Sequence, residues 1–209
     1  MPALVDLTVR DFTERLSQRT PTPGGGSVAA CLAGFGAGLA AMAFRFTAGE
    51  KYAAVERAMA QRVEDLDRLR SRAVELVDRD SAAYDGVTTA YKLPKSTEEE
   101  RKKRGDAVEA ALRGAMEVPL ETLRTALAAL EVAAAGAADV NPNLGSDCAT
   151  GAWCLWSAAE GAALNVRINA GSLKDRALAE SRLAECESMR QRATTLAGQA
   201  RDAAAGRIQ

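Results

Sequence analysis

The feature that most constrains this chain is an uncharged stretch from residue 28 to residue 44. A helix drawn through this stretch is apolar on every side, so it must be buried on every side. A membrane span is one interpretation, but the stretch is short for a bilayer and consists mostly of Ala and Gly. Ala30, Gly34 and Gly38 recur at every fourth position, which lets another helix approach closely. We therefore expect a buried central helix and no membrane partner.

The segment in front of this helix reads Pro21-Thr22-Pro23-Gly24-Gly25-Gly26-Ser27. Prolines favour an extended entry, and glycines let the backbone turn or approach a ligand closely. Ser27 is expected to cap the central helix, which we predict over about residues 27–47. A helix N-terminus behind bare glycines offers free N–H groups and the positive end of the helix dipole. This position therefore suits a carboxylate, a carbonyl or a phosphate oxygen.

Composition excludes several classes of function. The chain has no histidine, which excludes a histidine-ligated metal site and any histidine-based triad. Proton transfer would then fall to Asp, Glu, Lys, Tyr, Cys or a held water. Lys and Arg total 27 against 28 Asp and Glu, and aromatic residues make up 4%, so a nucleic-acid surface is not expected.

Length and cysteine usage favour one cytoplasmic domain. A chain of 209 residues can bury a sizeable core, and no stretch is typical of a linker, so we expect one domain over residues 1–209. The four cysteines show neither a CxxC pair nor the spacing of a disulfide scaffold. The start lacks the pattern of a secretory signal, which indicates the cytoplasm and reduced thiols.

Helical spacing of apolar residues continues through the rest of the chain, and no segment alternates as a strand does. The sequence therefore predicts an all-α bundle. Three helices have expected caps, which are Thr8, either Ser96 or Thr97, and Ser172 with Asp175. Pro119 is expected to kink or split one of these helices. Further helices are predicted over about residues 9–18, 52–91, 97–136, 148–171 and 172–207.

Polar residues inside apolar stretches are the candidate functional residues. Asp80 falls on the core-facing stripe between Val77 and Tyr84, where it either pairs with an arginine, caps a helix or acts on a ligand. A second loop contains Asn143, Ser146 and Asp147, each of which is a candidate cap for the apolar helix that follows. Near the end of that helix lie Asn165, Arg167 and Asn169. Such buried polar groups either hold helices and subunits together or face a ligand.

Several short motifs occur in one order along the chain. They are Pro21-Thr22-Pro23-Gly24-Gly25-Gly26-Ser27, the turn at residues 49–52, Asp80 with Ala83-Tyr84-Asp85, Leu93-Pro94-Lys95, Val118-Pro119-Leu120, Asn141-Pro142-Asn143 with Ser146-Asp147, and Ala163-Leu164-Asn165-Val166-Arg167-Ile168-Asn169. Together they resemble the cyclodeaminase domain of the formiminotransferase-cyclodeaminase family, whose free-standing bacterial relatives include methenyltetrahydrofolate cyclohydrolases. The resemblance covers nearly the full chain.

The resemblance implies a dimeric helical bundle that acts on the one-carbon unit of tetrahydrofolate, without a metal or redox cofactor. In the cyclodeaminase reaction, nitrogen 10 attacks the formimino carbon and ammonia leaves, which gives methenyltetrahydrofolate. In the cyclohydrolase reaction, water adds to that carbon and the ring opens to formyltetrahydrofolate. The first reaction is the leading interpretation and the second is close behind it. A folate-binding homodimer without turnover is a further alternative.

The resemblance also implies roles for single residues. Asp147 and then Asp80 are the candidates for acid–base catalysis and for stabilising the methenyl cation. Arg167 or Lys51 would hold the glutamate carboxylate of folate, and Asn165, Asn169 and Thr22 would read the pterin. The other candidate binding residues are Gly24, Gly25, Gly26, Ser27, Asn143 and Ser146. The chain departs from the family at Glu50, where relatives are more basic, and at Cys148, Trp153, Cys154 and Trp156, where small aliphatic residues are common.

Overall fold

The computed structural model describes residues 3–208, which form six α-helices joined by short turns. The helices are α1 (Val9–Leu16), α2 (Gly25–Arg45), α3 (Glu56–Tyr91), α4 (Glu98–Gly136), α5 (Gly145–Gly171) and α6 (Arg176–Ala205). Four 3₁₀ turns lie at Leu4–Asp6, Glu50–Tyr52, Ala137–Asp139 and Pro142–Leu144. No strand occurs among the described residues, so the all-α prediction is confirmed.

The uncharged helix α2 lies at the centre of the bundle, in contact with α3, α4 and α5. Its length and composition would allow it to cross a membrane, but 61% of its apolar window is buried inside the protein. Small residues explain this burial, because Ala29, Ala33, Ala37 and Ala40 all lie in the core. The expectation of a central buried helix is confirmed.

Helices α2 and α5 pack against each other along their lengths and run antiparallel. A Cβ atom on Gly36 would lie 2.6 Å from Leu155 Cγ and 2.7 Å from the Gly151 carbonyl oxygen, so only glycine fits there. At one end of the pair, Gly25 lies against Asn165. At the other end, the backbone N–H of Asn141 donates to Thr47 Oγ1 at 3.0 Å. The start of α2 is therefore next to the end of α5, and the end of α2 is next to the start of α5.

Local capping signals in the sequence are confirmed for α1 and α4. Thr8 accepts from the Asp11 N–H, and Thr97 forms a capping box with Glu100. The cap of α6 is Asp175, which accepts from the Leu178 N–H, so the assignment of Ser172 was wrong. An aspartate directly before the helix has the shorter path to the free N–H groups of the first turn.

Two further helix starts differ from their predictions. Helix α2 begins at Gly25 rather than Ser27, with Gly24 as an extended N-cap residue. Helix α5 begins at Gly145 rather than residue 148, with Leu144 at the N-cap position and no side-chain cap. Both starts are set by tertiary contacts and not by a local capping side chain. Ser27, Ser146 and Asp147 therefore lie inside the first turns, where their side chains are free for other contacts.

Pro119 lies inside α4, which continues without a break on both sides of it. Proline has no N–H, so the carbonyl oxygen of Ala115 lacks its usual helical donor. The side-chain amide of Asn169 on α5 donates to that oxygen at 2.7 Å. Of the two predicted effects of Pro119, the split does not occur, because a side chain from another helix replaces the missing hydrogen bond, and the kink stays a prediction.

Candidate functional site

A carboxylate from α3 occupies the N-terminus of α2. Ser27 Oγ donates to Asp80 Oδ2 at 2.8 Å. A methyl group at Gly26 would overlap the Asp80 carboxylate, so the glycine is what allows the carboxylate to come this close to the backbone. The glycine loop thus binds a carboxylate oxygen, as the sequence indicated, and the oxygen belongs to the protein itself.

Burial sets the protonation behaviour of Asp80. The side chain is half-buried, and burial raises its pKa above the ordinary value of an aspartate. Hydrogen bonds from the Ser27 hydroxyl and the Ser27 backbone oppose this shift but do not cancel it. A carboxyl group with a raised pKa exchanges a proton more readily near neutral pH, which suits general acid–base catalysis.

Asn165 on α5 forms the third side of this site. Its amide nitrogen lies 3.6 Å from the position that a Cβ on Gly25 would take, and it donates to the Gly161 carbonyl at 2.8 Å. We call Gly24, Gly25, Gly26, Ser27, Asp80 and Asn165 the Asp80 cluster. The half-buried Thr22 precedes it in the chain. Ser81, which the sequence reading did not single out, adds a hydroxyl 3.4 Å from Ser27 Oγ.

The remaining candidates lie at the opposite end of the α2–α5 pair. Lys51, Asn143, Ser146 and Asp147, here called the Asp147 cluster, belong to the turn after α2 and to the start of α5. Asn141 ties these segments together, because its side-chain amide donates to the Phe46 carbonyl at 3.1 Å. The structure does not bring the two clusters into one pocket within a chain.

Asp147 lies on the same face of α5 as Asn165. The separation of these two residues corresponds to about five helical turns, or about 27 Å. Asp147 is half-buried in the first turn of α5, where the helix dipole stabilises its negative charge. Burial, together with the charge of Asp147, raises the pKa of the neighbouring Cys148 to about 11.

The contacts of Asn169 and Arg167 lie outside the Asp80 cluster. Asn169 is occupied by the Ala115 carbonyl on α4. Arg167 is exposed on the side of α5 that faces α6, where its charge acts on Cys186 and Glu187. Of the two interpretations of these polar residues, contact between helices describes Asn169.

The described part of the chain contains no group of three or more Cys, Asp and Glu side chains in an arrangement that could hold a metal ion. All four cysteines are free thiols, and burial raises the pKa of each. The titratable groups of the two clusters are the carboxyls of Asp80 and Asp147 and the amine of Lys51, and the two carboxyls are the candidate acids.

Comparison with known proteins places these features in a family. Residues 8–188 match the model of the formiminotransferase-cyclodeaminase family. A methenyltetrahydrofolate cyclohydrolase of Methylorubrum extorquens is 37% identical over 183 residues, which is 87% of this chain and 88% of that protein. The mouse formimidoyltransferase-cyclodeaminase is 34% identical over 200 residues, which is 93% of this chain but only 36% of the mouse protein.

A solved structure shows the same fold. The crystal structure of formiminotetrahydrofolate cyclodeaminase from Thermotoga maritima has a TM-score of 0.85 to this chain at 27% sequence identity, and the match covers 96% of this chain and 97% of the other. The family match, the similarity to a full-length relative and the shared fold agree with one another. The chain belongs to the formiminotransferase-cyclodeaminase family.

Proposed function

We propose that this protein is an enzyme of folate one-carbon metabolism that acts as a formiminotetrahydrofolate cyclodeaminase. The observation that carries the proposal is Asp80, a half-buried carboxyl with a raised pKa held against a glycine-built helix N-terminus. The names of the relatives support the substrate class. The substrate itself is the tetrahydrofolate derivative, and no resident cofactor is proposed.

The proposed reaction is addition and elimination at one carbon. Nitrogen 10 attacks the formimino carbon on nitrogen 5, and a carboxylate accepts the proton that nitrogen 10 loses. The carboxyl then delivers that proton to the departing nitrogen, which takes one further proton from solvent and leaves as ammonia. The product is a methenyl cation, which the ionised carboxylate stabilises.

Methenyltetrahydrofolate cyclohydrolase activity is the second candidate. It is favoured by the 37% identity to a cyclohydrolase that this chain matches over 88% of its length. Here a carboxylate accepts a proton from the water that attacks the methenyl carbon. The carboxyl then gives this proton to nitrogen 5 as the bond from the carbon to nitrogen 5 breaks. The added hydroxyl loses its remaining proton to solvent, which leaves a formyl group on nitrogen 10. Both reactions use the same carboxyl groups at the same carbon.

The proposal includes a homodimer. Large apolar side chains are exposed on adjoining faces of α2 and α5, with Phe46 60%, Trp153 53% and Ile168 71% accessible to solvent. Leu164 extends this exposed surface. An apolar patch that joins two helices is typical of a protein–protein interface, and homodimers with a two-fold axis are the commonest oligomers.

A two-fold axis through this face would complete the site. Because the two clusters lie at opposite ends of the same pair of antiparallel helices, a perpendicular two-fold places the Asp147 cluster of one protomer over the Asp80 cluster of the other. Each dimer would then contain two composite sites. Each site would have Asp80 from one protomer, and Asp147 of the partner subunit would complete it.

Absorbance of the methenyl chromophore tests the function. Gain of absorbance from formiminotetrahydrofolate supports the cyclodeaminase, and loss of methenyltetrahydrofolate beyond the buffer rate supports the cyclohydrolase. No change with either substrate would contradict both and would leave a binding protein. Asp80→Asn and Asp147→Asn are each expected to reduce the turnover seen with the wild type by about 10²- to 10⁴-fold.

Mixing these two variants tests the composite site. If Asp80 and Asp147 act across the interface, each mixed dimer has one site with both acids intact. Random mixing should then restore about a quarter of the wild-type activity. If both acids acted within one chain, every site would carry one substitution and activity would stay at the level of the single variants. That result would contradict the proposed dimer.

A further inference from the structure

A half-open groove of about 480 Å³ lies between α1 and the adjoining faces of α2 and α3. Its walls are apolar and include Val9 and Phe12 of α1, Leu32 of α2 and Val74 of α3. The segment that carries α1 is held in place by the Leu4 N–H, which donates to Asp78 Oδ1 at 2.6 Å. The groove is therefore a formed feature of the fold.

The groove begins next to the Asp80 cluster. Its lining includes Val28, which directly follows Ser27, and Val77, which lies about one helical turn before Asp80 on α3. Helices α2 and α3 run antiparallel beneath it, since Gly26 lies against Asp80 at one end and, at the other, a Cβ atom on Gly38 would lie 3.7 Å from Arg70 Cδ. A ligand bound at Asp80 could thus extend along the groove towards Arg70.

Arg70 supplies positive charge at the far end. Its Nε atom lies 3.8 Å from Asp67, and Asp67 is also paired with Arg45. Two guanidinium groups share one carboxylate, so this end of the groove has a net positive charge. The groove lining itself contains no acidic residue. The Arg70 side chain is 46% exposed, so its N–H donors are accessible to a carboxylate.

The dimensions match one part of a folate. Ten residues of α3 separate Asp80 from Arg70, which is about 15 Å of helix. This span is comparable with an extended p-aminobenzoylglutamate unit, whose flat apolar ring ends in an amide and two carboxylates. The apolar walls of the groove match the ring, and the guanidinium of Arg70 at its far end matches the carboxylates.

We propose that this groove binds the p-aminobenzoylglutamate part of the substrate, with the ring between the apolar walls and a glutamate carboxylate on Arg70. This inference rests on the proposed folate chemistry at Asp80. It differs from the expectation that Lys51 or Arg167 holds the glutamate. Arg167 faces α6, and in the proposed dimer Lys51 of the partner subunit would lie over the Asp80 cluster, at the end of the groove away from Arg70.

Two substrates distinguish binding of the p-aminobenzoylglutamate tail from binding of the reacting end of the folate. One is formiminotetrahydrofolate, and the other is its analogue in which a phenyl group replaces the benzoylglutamate on nitrogen 10. Arg70→Gln should raise the KM for the first substrate about tenfold, which is the effect of losing a charge-assisted hydrogen bond. It should leave the KM for the second unchanged. The matched control is Arg68→Gln, because Arg68 is an exposed arginine of the same helix that pairs with Asp65 and does not line the groove.

The groove wall has its own test. Val74→Asp places a carboxylate one turn from Arg70 and should raise the KM for both substrates, because it makes the wall polar and competes for the guanidinium. Calorimetric titration with p-aminobenzoylglutamate alone should show weaker binding to both Arg70→Gln and Val74→Asp than to the wild type.

The outcomes distinguish this inference from the proposed function. If the wild type turns over substrate and Arg70→Gln has an unchanged KM, the proposal that the groove binds the p-aminobenzoylglutamate tail is wrong. The proposed folate reaction is then not contradicted. A rise in KM that appears in Lys51→Gln or Arg167→Gln instead would also show that the proposal for the groove is wrong. Absence of turnover in the wild type would contradict the function, and the titration would then decide whether the groove binds p-aminobenzoylglutamate.

Discussion

The hydrogen bond from Asn169 to the Ala115 carbonyl gives the sharpest test of how this bundle is held together. Asn169→Leu removes a donor to the carbonyl oxygen of the buried Ala115, which Pro119 has already deprived of its usual helical partner. An unsatisfied buried carbonyl costs about 2 kcal/mol, which for a chain of this size lowers the melting temperature by roughly 4–8 °C. Calorimetry at a fixed protomer concentration measures the change.

The cost of Asn169→Leu should also depend on Pro119. In a Pro119→Ala background the alanine N–H can donate to Ala115, so Asn169→Leu should cost less than about 1 kcal/mol. A full loss of stability in both backgrounds would refute the account. So would an unchanged melting temperature together with a raised KM for folate, because Asn169 would then be reading the pterin as the sequence first indicated.

Three other predictions concern Asp80 and the α2–α5 contact. Asp80→Asn should reduce kcat by about 10²- to 10⁴-fold. The same substitution should increase the free energy of unfolding at neutral pH, because burial disfavours the charged carboxylate. Equal stability of the variant and the wild type would contradict this. Since the pKa of Asp80 is raised, kcat/KM should fall on acidification at a higher pH than an ordinary aspartate would give, and wild-type stability should decline as pH rises from the ordinary to the raised pKa. A pH–rate profile and melting temperatures against pH measure these two trends, and a profile at the ordinary pKa would argue against Asp80 as the base. Gly36→Ala should lower the free energy of unfolding measured in urea by about 1–3 kcal/mol or more. The control Gly114→Ala should be neutral or stabilising, because a Cβ atom there would meet no other atom within 4 Å. Equal effects of the two substitutions would show that packing at Gly36 is loose.

The fold could be predicted where local chemistry decides it. Thr8 and Thr97 cap their helices because the free N–H groups are within reach of the nearest hydroxyl. The cap of α2 could not be predicted in this way, since the carboxylate that takes this role, Asp80, belongs to a different helix. Pro119 is a similar case, because its consequence for α4 depends on Asn169 of α5.

The candidate site was predicted as a set of residues but not as an arrangement. The Asp80 cluster follows from the glycine loop and from a carboxylate on a core-facing stripe. The separation of Asp147 from Asn165 could have been derived from the sequence, because both were expected in or next to one helix with a fixed rise per residue. Arg70 was not identified, since nothing in the sequence shows which exposed arginine of α3 lies at the end of a groove.

The packing of α2 against α5 has a consequence for synthesis on the ribosome. Helix α2 ends at Arg45, whereas α5 begins only at Gly145. At elongation rates of about 5–20 residues per second, α2 waits about 5–20 s for the partner that covers one of its sides. During that interval a segment apolar enough to enter a bilayer is exposed in the nascent chain, so the protein's synthesis should be sensitive to factors that shield hydrophobic segments as they emerge.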